Sequence, residues 1–353
     1  MNHHRCNAMI RRPRPLWATL YSPIAMRRTV HPRRVLVVGW GFLGAAIGTR
    51  LADEGVDVVG LTRSESMRTR AARTRGIDIA IGDAGDHAVV EELIGGIDHV
   101  LFSAGGLPPP AAAVRPHEDL VGRLSPLLSV LECLIRRPAV GITYLSSGGT
   151  VYGNPERVPV RETDPVRPVS PYGASCLASE VYTEMYGRTY GIPVQIVRCA
   201  NAYGPGQALD RNQGAVGVFF DRVAAGLPLR ILGDGEALRD YVHIDDIASG
   251  ISRIILEQHD VGIVNLGSGR GHRVLELVEM VSKVVGCPAV VEFLPARRHD
   301  VTSIVLEISK LTSFIDYAPM ELSEGLQLTW QVTMAPALVS DAPLPTVILS
   351  QYQ

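Results

Sequence analysis

Short apolar runs and helix-like patterns alternate through the first 200 residues of the chain. The runs are rich in Val, Ile and Leu, as in strands that are buried on both faces of a parallel sheet. The predicted strands span residues 35–38, 56–61, 99–103, 141–146 and 194–199, and the predicted helices span residues 45–54, 120–136 and 171–190. This alternation predicts an α/β fold with a doubly wound parallel sheet of the Rossmann type.

The pattern changes near residue 200, where mixed segments rich in Gly and Pro begin. We expect residues 34–200 to form the Rossmann domain and residues 201–328 to form mainly a smaller mixed substrate-binding lobe, with some return to the sheet. Residues 329–353 have no strong period and stay unassigned. Residues 1–33 are rich in Arg and contain no acid, which predicts a disordered extension; a start at Met26 and a transit peptide are the alternatives.

Composition and charge argue against several classes of function. The 353 residues are 46% hydrophobic and carry a formal net charge of −2, so no overall field favours nucleic acid or a membrane surface. No apolar run reaches the roughly 18 residues of a membrane span. The five cysteines are scattered and lack metal-ligand or redox spacing, which favours a reduced, cytoplasmic chain.

A glycine motif, Gly39-x-Gly41-x-x-Gly44, follows the first predicted strand and opens the first helix. In that context the first glycine permits a tight turn, the second lets the backbone approach a pyrophosphate, and the third lets the helix pack on the strand. The motif therefore predicts binding of NAD or NADP at the helix N-terminus. The candidate cofactor contacts in this region are Gly39, Gly41, Phe42, Leu43, Gly44, Ser103 and Ala104.

The end of the second strand bears on the choice between NAD and NADP. An acid at this place usually binds the adenine ribose hydroxyls of NAD, but this chain has Thr62-Arg63. Arg63 can pair with a 2′-phosphate, which favours NADP, whereas a solvated surface arginine is the alternative. Asp83 falls where an acid can accept a hydrogen bond from the adenine amino group.

A tyrosine motif opens the predicted helix 171–190. Ser170 is a suitable N-cap and Pro171 a suitable first residue, which places Tyr172 and Cys176 one turn apart on one helix face. A Ser- and Gly-rich segment, residues 145–153, ends the preceding strand. With the glycine motif and the segments 198–207 and 233–246, these stretches resemble extended short-chain dehydrogenases/reductases, specifically the NAD-dependent epimerase/dehydratase family, whose type member is UDP-glucose 4-epimerase.

The resemblance implies epimerisation of a nucleotide sugar by a homodimeric enzyme. Tyr172 would take the proton of the sugar C4 hydroxyl while the C4 hydride passes to the nicotinamide and later returns to the other face. A serine or threonine would hydrogen-bond the same hydroxyl. Gly148 stands where the type member has that residue, and the flanking Ser147 or Thr150 can serve instead.

One residue departs from the family pattern Tyr-x-x-x-Lys, because Cys176 replaces the lysine. In the family the lysine holds the nicotinamide ribose and lowers the tyrosine pKa. Bringing a free tyrosine from a pKa of about 10 to 7 requires roughly 4 kcal/mol, which a thiol cannot supply. Tyr172 is then a working acid/base with a weakened partner, a remnant in a chain that binds ligands but turns over slowly, or a structural residue. A NADPH-dependent keto-sugar reductase is a further alternative.

The resemblance also assigns the nucleotide diphosphate to Asn201, Arg239 and Arg298, with Arg297 as the alternative to Arg298. Two arginines suit a diphosphate because each can bind two oxygens at once, and a surface ion pair is the less favoured alternative for each. His243, followed by two acids, suggests a metal site. We prefer a structural role and expect no metal, because no further ligands cluster there.

Overall fold

A computed structural model describes residues 31–207, 214–257, 259–297 and 300–339, with side chains up to residue 333. Most of the predicted basic extension and residues 340–353 lie outside the described part of the chain. The strands are β1 (Arg34–Val38), β2 (Asp57–Thr62), β3 (Asp78–Ile81), β4 (His99–Phe102), β5 (Gly141–Ser147), β6 (Val194–Cys199), β7 (Asn201–Tyr203), β8 (Leu229–Leu232), β9 (Leu238–His243), β10 (Ile263–Leu266), β11 (Gly271–Arg273) and β12 (Val291–Leu294).

Seven strands form a parallel sheet in the order β10-β6-β5-β4-β1-β2-β3. The inner strand β1 is buried along its apolar run, since Val35 to Val38 have no exposed surface. The doubly wound parallel sheet predicted from the alternation is thereby confirmed. All seven carboxyl ends lie at one edge, where folds of this class bind ligands.

Helices cover both faces of this sheet. The helices of the described chain are α1 (Phe42–Asp53), α2 (Met67–Thr74), α3 (His87–Leu93), α4 (Pro109–Val114), α5 (Pro116–Ile135), α6 (Pro171–Tyr190), α7 (Ala215–Ala224), α8 (Ile244–Glu257), α9 (Val274–Val285), α10 (Ser309–Thr312) and α11 (Leu322–Val339). Helices α1 and α8 pack together over one face, and α3, α5 and α6 pack over the other. Two apolar cores therefore enclose the sheet.

A smaller lobe follows β6. It contains a three-stranded sheet in the order β11-β9-β7 and a two-stranded sheet of β8 and β12. Its core lies between α7, α9 and α11, with Phe219, Leu277 and Leu326 among the buried side chains. Helix α11 continues to Val339, so regular structure extends into the stretch that the sequence leaves unassigned.

Candidate active site

The glycine motif forms a tight turn between β1 and α1. Gly39 has φ of +99°, and a Cβ there would lie 2.5 Å from the Ala104 nitrogen. A Cβ on Gly44 would lie 2.0 Å from the Gly39 carbonyl oxygen. By contrast, a Cβ on Gly41 would meet no atom of the described chain within 4 Å apart from its two chain neighbours. Gly39 and Gly44 are therefore required by the packing of the turn, whereas Gly41 keeps the backbone open at the N-terminus of α1.

This turn fits a dinucleotide pyrophosphate. Gly41 is the N-cap of α1, and no described side chain caps that end. Amide groups at an uncapped helix start attract an anion. Phe42 and Leu43, both half-buried, form the first turn of the helix. Ser103 supports the turn, because its hydroxyl donates to the Gly39 carbonyl oxygen at 2.7 Å.

The residues predicted to face the adenosine end lie at the carboxyl ends of β2 and β3, which are neighbours in the sheet. Thr62 is half-buried, and Arg63 and Asp83 are exposed. The Gly82 amide donates to the Thr62 carbonyl at 2.9 Å, which joins the two strand ends. Asp83 accepts a hydrogen bond from the Gly85 amide at 2.8 Å. Arg63 and Asp83 are thus on the edge where the sequence places the adenosine.

Tyr172 lies in the first turn of α6, against the turn that follows β5. Ser170 caps the helix by accepting a bond from the Gly173 amide at 3.2 Å. A Cβ on Gly173 would lie 2.8 Å from the Thr150 carbonyl oxygen, so the two turns pack backbone to backbone. The Thr150 amide donates to the Ser147 carbonyl at 3.2 Å. The structure therefore brings the segments of Tyr172, Ser147 and Thr150 together.

Gly148 has a packing reason to lack a side chain. A Cβ there would lie 2.6 Å from a methyl carbon of Leu306 and 2.9 Å from the Arg198 carbonyl oxygen. A serine or threonine cannot occupy this position without displacing one of them. A side chain with the family hydroxyl is thus disfavoured sterically at position 148. The hydroxyls of Ser147 and Thr150 are the remaining candidates for this role.

Cys176 is buried one turn below Tyr172, with 1% of its surface exposed. Burial raises the pKa of its thiol to about 11, so it is uncharged at neutral pH. Burial, and then the proximity of Cys176, raise the pKa of Tyr172 to about 12, whereas the Arg123 guanidinium opposes this rise. Position 176 itself therefore provides no positive charge to the phenol.

A buried ion pair beside Tyr172 was not foreseen from the sequence. Arg123 on α5 is 4% exposed and donates to Asp119, one turn earlier, at 3.1 Å. Its guanidinium carbon lies 4.5 Å from the centroid of the Tyr172 ring. The signal was present in the spacing, since 119 and 123 continue the buried stripe of Leu127 and Leu131 at intervals of four.

The three residues predicted to bind the substrate diphosphate differ in their surroundings. Asn201 lies beside the β5 turn, with its side-chain amide oxygen 3.3 Å from the Cβ position of Gly149, and its side-chain amide nitrogen donates to the Asp240 carbonyl oxygen at 3.0 Å. Arg239 is half-buried and donates to the carbonyl oxygens of Leu238, Thr302 and Val301. Burial lowers its pKa. Arg298 lies outside the described residues.

Another buried ion pair anchors α6 to the sheet near the site. Arg198 on β6 and Glu180 on α6 are both buried and lie 2.7 Å apart. Glu180 also accepts from Ser146, and Arg198 donates to the Tyr152 hydroxyl at 3.0 Å. These bonds connect α6 to the carboxyl ends of β5 and β6. The position of Tyr172 is consequently held by polar contacts as well as by apolar packing.

The described part of the chain holds one group of side chains with the spacing of a metal site: His87, Glu91 and Cys133, away from the β5 turn. Glu91 there already pairs with Arg137 at 2.7 Å. His243 is instead buried edge-on against the Tyr203 ring at 5.3 Å. Among the described helices, none is both long and apolar enough to cross a membrane.

Two curated relatives align over nearly their whole lengths. The UDP-glucose 4-epimerase of Mycolicibacterium smegmatis is 30% identical over 304 residues, which cover 84% of this chain and 97% of the relative. The putative UDP-glucose 4-epimerase of Methanocaldococcus jannaschii is 28% identical over 298 residues, which cover 83% of this chain and 96% of the relative.

Two solved structures of UDP-glucose 4-epimerases are similar in fold to this chain. The UDP-glucose 4-epimerase of Thermotoga maritima with UDP-glucose has 28% identity and a TM-score of 0.80, covering 86% of this chain and 99% of that one. The Thermus thermophilus UDP-glucose 4-epimerase with NAD has 31% identity and a TM-score of 0.78, covering 85% and 98%. The pattern of the NAD dependent epimerase/dehydratase family matches residues 35–267. Because this match runs from β1 through β10, the first to the last strand of the large sheet, the chain belongs to the NAD dependent epimerase/dehydratase family.

Proposed function

We propose that the protein is a nucleotide-sugar 4-epimerase that acts on a UDP-hexose by transient oxidation at C4. The observation that carries the proposal is the packing of the Tyr172 turn against the 147–150 turn, at the edge of the sheet that also bears the glycine turn. Relatives and solved neighbours named as UDP-glucose 4-epimerases support it, since they match this chain over most of their lengths.

Each element of the site has a role in this proposal. When bound, the nicotinamide supplies a hydride acceptor and donor for C4. The Tyr172 phenol exchanges a proton with the C4 hydroxyl, and the hydroxyl of Ser147 or Thr150 hydrogen-bonds the same oxygen. The Gly39–Gly44 turn holds the cofactor pyrophosphate at the start of α1. Asn201 and Arg239 hold the substrate diphosphate, the latter after exchanging carbonyl partners for phosphate oxygens.

The test is turnover by the purified protein. UDP-galactose, UDP-glucose and their N-acetyl forms are incubated with the enzyme and either nicotinamide cofactor, and the 4-epimers are separated and quantified. We expect conversion with at least one pair and its loss in Tyr172→Phe, which removes only the phenolic oxygen. Absence of conversion above background with every sugar refutes the proposal.

A second candidate is an impaired homologue that binds dinucleotide and sugar nucleotide without useful turnover. The buried, uncharged Cys176 favours it, as does the raised pKa of Tyr172. Calorimetric binding of a UDP-sugar without conversion identifies this case. A third candidate, a NADPH-dependent keto-sugar reductase, is favoured by the exposed Arg63 at the end of β2, and stoichiometric consumption of NADPH with a 4-keto sugar identifies it.

A further inference from the structure

A positive charge covers the aromatic face of Tyr172. The Arg123 guanidinium carbon is 4.5 Å from the ring centroid, a distance at which a cation and an aromatic ring attract each other. The arginine comes from α5, the neighbour of α6, and its side chain is almost fully enclosed. An enclosed cation acts on a nearby phenol much more strongly than a solvated one, because water does not screen it.

The loop after β4 is shaped around this arginine and its partner. The Leu107 amide donates to Asp119 at 2.8 Å, and the same carboxylate oxygen accepts from Arg123. A Cβ on Gly106 would lie 2.4 Å from that oxygen, and one on Gly105 would lie 3.5 Å from an Arg123 nitrogen. The ion pair thus fills the space between the loop that continues from Ser103 and the first turn of α6.

A gain in folding stability is a weak explanation for burying the ion pair of Arg123 and Asp119. A buried ion pair loses hydration on both partners, and apolar residues of similar volume often stabilise a fold as well or better. Here the pair is also incompletely bonded, since Arg123 Nε and the second Asp119 oxygen have no hydrogen-bond partner in the described structure. Burying this charge therefore costs folding free energy. The charge lies next to Tyr172, whose ionisation the proposed reaction needs.

We propose that Arg123 takes over the role of the missing lysine of the Tyr-x-x-x-Lys pattern, as a positioning residue that stabilises the Tyr172 phenolate from α5 instead of α6. This rests on the proposed function, in which that phenolate exchanges the C4 proton. Arginine keeps its charge at every working pH, so the effect does not depend on its own titration.

The other ionisable groups around the phenol define what Arg123 must offset. Cys176 on α6 and Asp119 on α5 both raise the pKa of Tyr172, and burial raises it further. Burial disfavours the charge of Arg123 itself, but Tyr172, Cys176, Tyr144 on β5 and Asp119 together raise its pKa. A neutral residue at 176 is consistent with this arrangement, because a lysine there would bring a second enclosed cation beside Arg123.

The decisive measurement is the ionisation of Tyr172 itself, without substrate. A fluorinated tyrosine, whose intrinsic pKa is lower, is incorporated at 172 only, and fluorine NMR follows its titration in a range where the protein is folded. The central comparison is Asp119→Asn against Asp119→Asn with Arg123→Met, which removes the guanidinium without leaving a buried carboxylate unpaired. We expect loss of the guanidinium to raise the midpoint by about one unit, a tenfold loss of phenolate at fixed pH.

Two controls separate charge from packing. Arg123→Lys keeps the charge and should hold the midpoint near that of the parent, and adding Cys176→Lys to the Arg123→Met background should lower it again. Wild type against Arg123→Met provides a second pair, with circular dichroism as the test of folding in every variant. An unchanged midpoint in folded variants without Arg123, or one that Cys176→Lys does not lower, overturns the inference. Because no sugar is present, this result is independent of UDP-hexose turnover, whose absence would refute the proposed function alone.

Discussion

The glycine turn allows its effect on stability and its effect on cofactor binding to be tested separately. Gly41→Ala adds a methyl group to a residue with extended backbone and φ of −87°, and the new carbon meets no described atom within 4 Å apart from its chain neighbours. Its effect on the free energy of unfolding should be within about 0.5 kcal/mol. The methyl group nevertheless points into the space where the pyrophosphate must approach the helix start, so cofactor affinity should fall about 100-fold or more, a difference of about 2.7 kcal/mol.

Gly44→Ala is the matched control. Its new carbon would lie 2.0 Å from the Gly39 carbonyl oxygen and 2.4 Å from the Ser103 hydroxyl, so the turn must shift. Such overpacking costs about 1–3 kcal/mol. The second variant should therefore lose stability even without cofactor, which the first should not.

Thermal unfolding with and without cofactor measures both quantities. At a cofactor concentration of about 100 Kd for the wild type, binding adds about 2.7 kcal/mol of stability. With affinity reduced 100-fold, Gly41→Ala should gain only about 0.4 kcal/mol under the same conditions. Equal cofactor-induced stabilisation in Gly41→Ala and wild type would refute the assignment of this turn to the pyrophosphate. A fully stable Gly44→Ala would refute the packing argument.

Single substitutions test four other parts of the structure. Arg63→Ser should weaken NADP about tenfold while leaving NAD nearly unchanged, as measured by fluorescence titration; an equal loss for both would contradict a 2′-phosphate contact. Gly148→Ser should lower the free energy of unfolding by about 1–3 kcal/mol in urea, because its Cβ would lie 2.6 Å from an enclosed methyl group, and unchanged stability would contradict this. Thiol labelling at pH 8 should modify the exposed Cys287 quickly and Cys176 slowly, since a raised pKa keeps the latter protonated until pH approaches about 11; comparable rates would show that Cys176 is accessible or ionised. Val181 is 52% exposed on α6, and the homodimer that the family resemblance implies should cover exposed apolar side chains of this kind, so Val181→Glu should shift the mass measured by light scattering toward the monomer, and an unchanged mass would contradict it.

Local signals predicted some elements completely. The bounds of α6, Pro171–Tyr190, and of β6, Val194–Cys199, agree residue for residue with the sequence expectation. A serine N-cap, a proline at the first helical position and Gly191 at the C-terminus are all written in the chain itself. The sequence pattern predicts the start of α1 three residues too late, because Gly41 caps the helix without a side-chain signal. The apolar pattern does not predict the edge strand β3, because this strand is short and half-exposed.

The sequence by itself determined the alternating fold, the glycine turn, the family and the absence of lysine at position 176. Only the tertiary structure decided what that absence means. It placed Arg123, from a different helix, over the ring of Tyr172, and it showed that Leu306 excludes a side chain at Gly148. Periodicity reports which face of an element is buried, whereas the effect of a charge depends on its distance through space and on the exclusion of water. Those two quantities arise only when separate elements pack together.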